Sequence, residues 1–512
     1  MNPNSLSSQR SVVESGGRLV LIVVAVMLAT LLQTLDTTIV NVALPIIQGN
    51  LGATIDEGAW VVTGYIISAV IVIPLTPWLQ MRFGRRQYYG TAVVGFTIAS
   101  MLCGISTSID QLIIWRILQG LFGGGLIATA QATLSDTFPR EKLGTSQALF
   151  AMGAIVGPTI GPILGGWLTD NFTWNEIFFI NVIPGTIAAF IIFTQLRNPT
   201  DPRPIPVDTM GVALLATGLG SLQYVLDEGQ RNDWFNSELI CTCMATAVVG
   251  LISFALWEIW GTCRPIVDLR ALTNRSISAG ACMGFAIGAS LLGSIVLLPQ
   301  YVQGVLGYTA TLSGQLILLR AVVIALFTPL MARLASSGRF DTRILLGVGF
   351  LLLAVSSGWQ ALVTTSFSPF WALAPPMLIS GFALALLFVP LSVAVLSSIP
   401  PAMIPKASAF TNLSLQLGGS FSTAALVSLL ANRSAFHQDG IAATIKHTNI
   451  ALNIALAHVP LARIYSLVVK QAMTQAYADA SMVLAIISLV LTPLVFVLRR
   501  PRRMTGVAIS AE

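Results

Sequence analysis

Apolar runs long enough to cross a bilayer, which takes about 20 helical residues, recur along the whole chain between short polar segments. They lie at about 19–45, 58–78, 88–107, 109–133, 145–168, 176–196, 209–227, 237–257, 277–299, 311–335, 343–363, 370–398, 404–430 and 479–498, which predicts fourteen transmembrane spans. All should be helices. A segment in lipid must satisfy its own backbone hydrogen bonds, and alternating strands of barrel length are absent. The predicted fold class is therefore an all-α polytopic membrane protein.

Composition narrows this further. With 55% hydrophobic and 9% charged residues and a mean hydropathy of +0.81, the chain is no ordinary soluble protein. The net charge of +6 is scattered through connecting segments instead of forming a basic patch, which argues against nucleic acid as a partner. It works as a topology signal. With a cytoplasmic amino terminus, nearly every loop arginine and lysine falls inside, including Arg82, Arg85, Arg86, Arg140, Lys142, Arg270, Arg275, Arg333, Arg343 and Lys406. Outside fall Arg231 and, in one long segment at 432–478, Arg433, Lys446, Arg463 and Lys470. Losing one span would invert every later loop, so the bias supports an even count with both termini cytoplasmic.

Cys103, Cys241, Cys243, Cys263 and Cys282 form neither a paired framework nor a metal-ligand spacing. His437, His447 and His458 share the long outer segment, too far apart for a metal on one helix face, and read as surface residues. No metal and no cofactor is expected. HExxH, GxSxG and P-loop patterns are absent, so neither an enzyme nor an ATP-driven pump is indicated.

The candidate chemistry lies inside the spans. Asp36 sits deep in the first apolar run, where a charge costs roughly 2.5–3.5 kcal/mol on insertion scales. That depth marks it as a functional carboxylate, or else as a buried group bonded to a neighbouring helix for packing. Two cations, Arg116 and Arg320, also lie within spans and need partners there. Arg116 is the expected partner of Asp36, since both fall in the first six spans. In the fifth span Gly153, Gly157, Gly161 and Gly165 recur every fourth residue, next to Gly166, so one helix face lacks side chains and a neighbour can approach closely. Pro158 and Pro162 remove backbone donors from the same helix and can bend it.

Several strings together carry a family resemblance over nearly the whole chain: LDTTIVNVALP (Leu35 to Pro45), RFGRR (Arg82 to Arg86), RILQG (Arg116 to Gly120), GAIVGPTIGPILGGW (Gly153 to Trp167), FFIN (Phe178 to Asn181), LQYVLDEGQRNDWF (Leu222 to Phe235), LPQYVQGVLGYTA (Leu298 to Ala310) and QLGGS (Gln416 to Ser420). The chain resembles the fourteen-span drug:proton antiporters of the major facilitator superfamily, the EmrB/QacA group, and in it the EmrB-like multidrug efflux proteins. The resemblance implies that the glycine face is the antiporter motif, a tight helix contact that closes the path against leak. It also implies that Arg82, Gly84, Arg85 and Arg86 form a cytoplasmic latch loop. Here Met81 replaces the usual aspartate of that loop, Pro77 a glycine, Leu319 a proline before Arg320, and Leu415 an arginine before Gln416.

The implied architecture is a major facilitator fold in a bacterial inner membrane. A tail (1–18) precedes an N-terminal six-helix bundle (19–196), then a connector with inserted spans 7 and 8 (197–257) and a cytoplasmic loop (258–276). A C-terminal bundle (277–498) contains the periplasmic loop 432–478, and a tail (499–512) ends the chain. The expected activity is proton-coupled export of amphipathic drugs by alternating access, with Asp36 and Arg116 in proton coupling. Gln33, Asn41, Tyr65, Asn181, Gln300, Arg320, Asn412 and Gln416 are the candidate substrate-cavity residues. The partners implied are the substrates, protons, membrane lipid, and a periplasmic membrane-fusion adaptor with an outer-membrane channel. Export of one metabolite, fatty acid or siderophore remains an alternative, as does a receptor that does not transport.

Overall fold

The computed structural model describes residues 14–199, 202, 205–262, 265–337, 340–447 and 460–497. Most of both terminal tails, with Arg203, Cys263, Arg264, Arg339 and His458, lies outside them. Among the described residues there is no strand. The N-terminal half contains α1 (Gly16–Leu51), α2 (Ile55–Val72), α3 (Thr76–Phe83), α4 (Arg85–Gly104), α5 (Ile109–Gly123), α6 (Leu126–Thr137), α7 (Leu143–Asn171), α8 (Glu176–Phe179) and α9 (Val182–Gln195). A hairpin of α10 (Thr209–Glu228) and α11 (Glu238–Leu256) follows. The C-terminal half contains α12 (Arg275–Gly304), α13 (Ala310–Ser336), α14 (Thr342–Val363), α15 (Phe370–Ser397), α16 (Ile404–His447) and α17 (Leu461–Leu491).

Every predicted span falls on helix. Among the described residues, thirteen helical stretches are long and apolar enough to cross a membrane, one fewer than predicted, and α4 is not one of them. Gln87, Tyr88, Tyr89 and scattered Gly, Thr and Ser lower its hydropathy. It is still 20 residues long, about 30 Å, and packs against α5 and α9.

The expected outer loop at 432–478 is different in kind. Helix α16 continues to His447 and α17 starts at Leu461, so most of the segment extends two membrane helices. Alanine, leucine, glutamine and lysine there are good helix formers, and the polar residues mixed among them conceal the continuity from a hydropathy reading. His437, expected at the surface, is half-buried. Its Nε2 lies 2.8 Å from Asp479 Oδ2 on α17, which also pairs with Arg433 Nε at 3.3 Å.

The packing divides the chain into two bundles. In the first, α1 lies against α7 and α9, α2 against α5, and α4 against α5 and α9. In the second, α12 lies against α16, α13 against α15, and α14 against α15 and α17. Hairpin α10–α11 touches α2 of the first bundle and α16 of the second through α10. Alternate helices run in opposite directions, so the start of α7, the end of α13 and the start of α16 share the end that carries Arg82, Arg85 and Arg86. At this arginine-bearing end a single apolar core spans both bundles, joining Trp78, Ala132, Leu143 and Ala148 to Met283, Met331, Leu384 and Leu396. At the other end the cores are separate, one around Ile39, Val61 and Phe178 and one around Leu298, Tyr301 and Leu426. The halves are thus fused at one end and distinct at the other.

Candidate functional site

Asp36 has no exposed surface. Its Oδ2 accepts a hydrogen bond from Arg116 Nη1 at 2.5 Å, and its Oδ1 accepts from Gln119 Nε2 at 2.8 Å and Asn181 Nδ2 at 3.3 Å. Arg116 is equally enclosed. It donates to Gln119 Oε1 (2.7 Å) and to the Val61 carbonyl (3.0 Å), and its guanidinium carbon stands 4.2 Å from the centre of the Tyr65 ring. Asn181 also donates to Ser100 Oγ at 3.0 Å. Removing two ions from water costs several kcal/mol each, and only good geometry with further hydrogen bonds offsets it. Here α1, α2, α4, α5 and the start of α9 each contribute a group. Sealed in this way, the carboxylate cannot exchange a proton with water unless a helix moves.

Gln119 and Ser100 escaped the sequence reading. For Gln119 the signal was present: it follows Arg116 by three residues and so shares its helix face. Tyr65 is 2% exposed, and its hydroxyl has no hydrogen-bond partner among the described residues.

The glycine face of α7 packs on α1, beside this cluster. A Cβ at Gly157 would stand 1.9 Å from Thr34 Oγ1 and 2.8 Å from the Leu35 nitrogen, and one at Gly161 would stand 2.1 Å from Thr38 Oγ1. Gly165 meets Ile39 at 2.9 Å, whereas Gly153 has ordinary clearance, 3.5 Å from Thr30. The threonine hydroxyls donate back to carbonyls of α1 (Thr34 to Thr30, 3.0 Å; Thr38 to Leu35, 3.0 Å), so the two backbones meet without a hydrogen bond between them. Gly166 is buried, and α7 runs unbroken through Pro158 and Pro162.

Polar contacts cross between the bundles near the arginine-bearing end. Gln131 of α6 donates to Gln147 Oε1 of α7 and to Ser392 Oγ of α15, both at 3.2 Å, and accepts from Asn412 Nδ2 of α16 at 2.9 Å. Helix α13 approaches α7 so closely that a Cβ on Gly144 would lie 2.6 Å from the Ala332 carbonyl and 3.2 Å from Ser336 Cβ.

The remaining predicted residues scatter. Gln33 is buried and accepts from the Ile127 nitrogen at 3.1 Å. Asn41 is exposed and donates to the Thr37 carbonyl of its own helix. Gln300 is exposed, and Gln416 is half-buried with its carbonyl accepting from Ser420. Arg320 is 4% exposed and donates to Ser294 Oγ at 3.0 Å, with no ion pair among the described residues. In this conformation the expected cavity residues therefore do not share one wall: Tyr65 and Asn181 join the Asp36 cluster and Asn412 joins the seam.

The arginine loop does have an acid. Arg85 pairs with Asp136 of α6 at 2.6 Å and donates to Gln80 Oε1 at 3.0 Å, so the carboxylate missing at Met81 is supplied from another helix. Arg82 bonds the Ile205 carbonyl and the Arg86 nitrogen donates to Asn198 Oδ1, which ties the loop to the connector. Gly84 has φ +83°, a conformation that favours glycine, and a Cβ there would meet Asn198 at 2.8 Å.

Comparisons with known proteins agree with this architecture. The model of the Major Facilitator Superfamily matches residues 26–423. The chain is 38% identical to the multidrug export protein EmrB of Escherichia coli K12 over 85% of its own length and 84% of that protein. It is 34% identical to the fatty acid resistance protein FarB of Neisseria gonorrhoeae, over 86% and 87% respectively. The fold is similar to the crystal structure of the human organic anion transporter MFSD10, with a TM-score of 0.60 at 14% identity, covering 93% of this chain and all of that one. Fused bundles, a buried intramembrane ion pair and these matches lead to one assignment: the chain belongs to the Major Facilitator Superfamily, among its EmrB-like members.

Proposed function

We propose that this protein is a proton-coupled antiporter that exports amphipathic compounds from the cytoplasm or inner leaflet across a bacterial inner membrane. The observation that carries the reading is Asp36, a fully buried carboxylate held by Arg116 beside the close glycine-face contact of α7 on α1. The names of the relatives, multidrug export and fatty acid resistance, support apolar-bodied cargo. With both termini cytoplasmic, the arginine-bearing end faces the cytoplasm, and the seam through Gln131 and Asn412 closes that side.

Ionised, Asp36 binds Arg116 and holds α1 against α5. The enclosed carboxylate meets water only when the helices around it part, so helix movement decides when Asp36 can take up or release a proton. A proton on Asp36 cancels the attraction and frees Arg116 to change partner. Two such arrangements supply the two states that alternating access needs. Moving one charge through about 150 mV supplies roughly 3.5 kcal/mol, enough to hold a neutral substrate about 300-fold concentrated. Arg320 offers a cation in the other bundle for a polar head group. A periplasmic adaptor and outer-membrane channel would complete the export route, with the extended ends of α16 and α17 as the docking face.

The test is proton efflux from acid-loaded proteoliposomes on adding amphipathic drugs. Drug-evoked efflux supports the reading; drug binding with no proton movement sinks it in favour of a receptor. A second check follows from the seam. In a cysteine-free background, Gln131→Cys with Ser392→Cys places thiols at two positions whose native side chains meet across the seam at 3.2 Å. A short bis-thiosulfonate reagent is expected to crosslink them and stop transport, and reduction to restore it. Undiminished transport in the crosslinked protein would mean that this end never opens.

A further inference from the structure

The string LQYVLDEGQRNDWF, at the end of α10 and the turn beyond, has no part in the reading above, yet its polar groups are buried where the two bundles meet. Gln223 has no exposed surface, and its Nε2 donates both to Asp227 Oδ1 at 2.8 Å and to Ser420 Oγ of α16 at 2.9 Å. Two atoms are left over. Gln223 Oε1 and Asp227 Oδ2 are both buried, and neither has a hydrogen-bond partner among the described residues. Both are acceptors if Asp227 is ionised, and burying an acceptor unsatisfied costs about 1–3 kcal/mol, more for a charged group.

The neighbouring charges do not help Asp227. Glu228 is 8% exposed and takes Thr63 Oγ1 of α2 at 3.3 Å and Arg231 Nη1 at 3.2 Å. Arg231 also faces Asp56 of α2 at 3.9 Å, so the cation of the turn is committed to other carboxylates. Tyr224 on α10 stacks on Trp60 of α2, and Cys243 of α11 lies near it. From α16 come hydroxyls, Ser420 on Gln223 and Ser428 on the Trp234 indole. Thus, among the described residues, Glu228 has a cation and Asp227 has none, with Glu228 adjacent as a like charge.

We propose that Asp227 is a second proton-binding site, occupied in this conformation, at the seam that α10 forms between α2 and α16. One proton on Asp227 Oδ2 turns one of the two orphan acceptors into a donor, leaves Gln223 Oε1 as the acceptor in the same cluster, and removes the unpaired charge. The site is tied to both bundles, through Glu228 to Thr63 and through Gln223 to Ser420, so relative movement of the bundles breaks the enclosure and lets water take the proton. Asp227 would then add a proton to each cycle beyond the one assigned to Asp36. That last step rests on the antiport reading; the proton on Asp227 does not.

The deciding measurement is infrared spectroscopy of the purified full-length protein at neutral pH, reading the carbonyl stretch of protonated carboxyl groups. The native protein should show a band that Asp227→Asn removes and Asp36→Asn leaves in place. A spectrum unchanged by Asp227→Asn overturns the proposal. If that variant folds poorly, Asp227→Glu keeps a protonatable carboxyl and should shift the band in place of removing it; a band that Asp227→Glu leaves unmoved overturns the proposal. In proteoliposomes, Asp227→Asn should halve the protons moved per substrate. An unchanged ratio would remove the site from the cycle, whereas failure of the antiport reading itself appears as drug binding with no proton movement in the native protein.

Discussion

Substituting both members of the central pair, Asp36→Asn with Arg116→Gln, is expected to give a folded protein whose drug-evoked proton efflux falls to that of protein-free vesicles. Either change alone is less informative. Asp36→Asn strands Arg116 among the Val61 carbonyl, Gln119 and the Tyr65 ring, and Arg116→Gln strands Asp36 with only amide donors. Breaking a buried pair by removing one partner costs about 3–5 kcal/mol, a large share of an ordinary domain's stability. Loss of transport in a single variant could therefore mean nothing more than a weakened bundle. The double variant removes both charges and keeps amides of similar shape in contact with Gln119 and Asn181. Its thermal stability should return most of the way to native, the signature of coupling between the two sites. If the pair serves packing alone, proton efflux returns with stability. If Asp36 carries the proton, stability returns and efflux does not.

The sequence made the spans legible because lipid imposes a length and a composition that water does not. The Asp36–Arg116 pair was legible for a related reason: ionised groups inside spans are costly enough that few exist, and two in one bundle suggest each other. For Gln119 the three-residue spacing from Arg116 was a signal, but only packing shows that it bridges the pair. Asp136 gave none: an acid near a helix end is common, and only packing shows that it supplies the acid missing at Met81. The helical extensions beyond 430 and before 479 were hidden by mixed polarity. That the bundles are closed at the arginine-bearing end was outside the reach of sequence, since it depends on contacts such as Gln131–Asn412 between residues 281 apart.

A graded response along the glycine face of α7 is the other large effect expected. Gly157→Ala should sharply lower both stability and transport, Gly161→Ala should do so nearly as strongly, and Gly153→Ala should be close to neutral. The order follows from what an added methyl meets. At position 157 it overlaps Thr34 Oγ1 and presses on the Leu35 nitrogen, at 161 it meets Thr38 Oγ1, and at 153 it has normal clearance from Thr30. Overpacking of this kind costs typically 1–3 kcal/mol. At 157 the cost falls one residue from Asp36, so separation of α1 from α7 also displaces the carboxylate from Arg116. The two sites differ in whether a second change can repair them. At 161 the obstacle is chiefly the Thr38 side chain, and Thr38→Ala should restore Gly161→Ala substantially. At 157 backbone is in the way, so Thr34→Ala should restore Gly157→Ala only in part. Thermal stability and vesicle transport measured across the five variants test this order. Equal tolerance at 153 and 157 would mean that α1 and α7 are not held as closely in the working protein as they are here, and that their contact is not what keeps Asp36 in place.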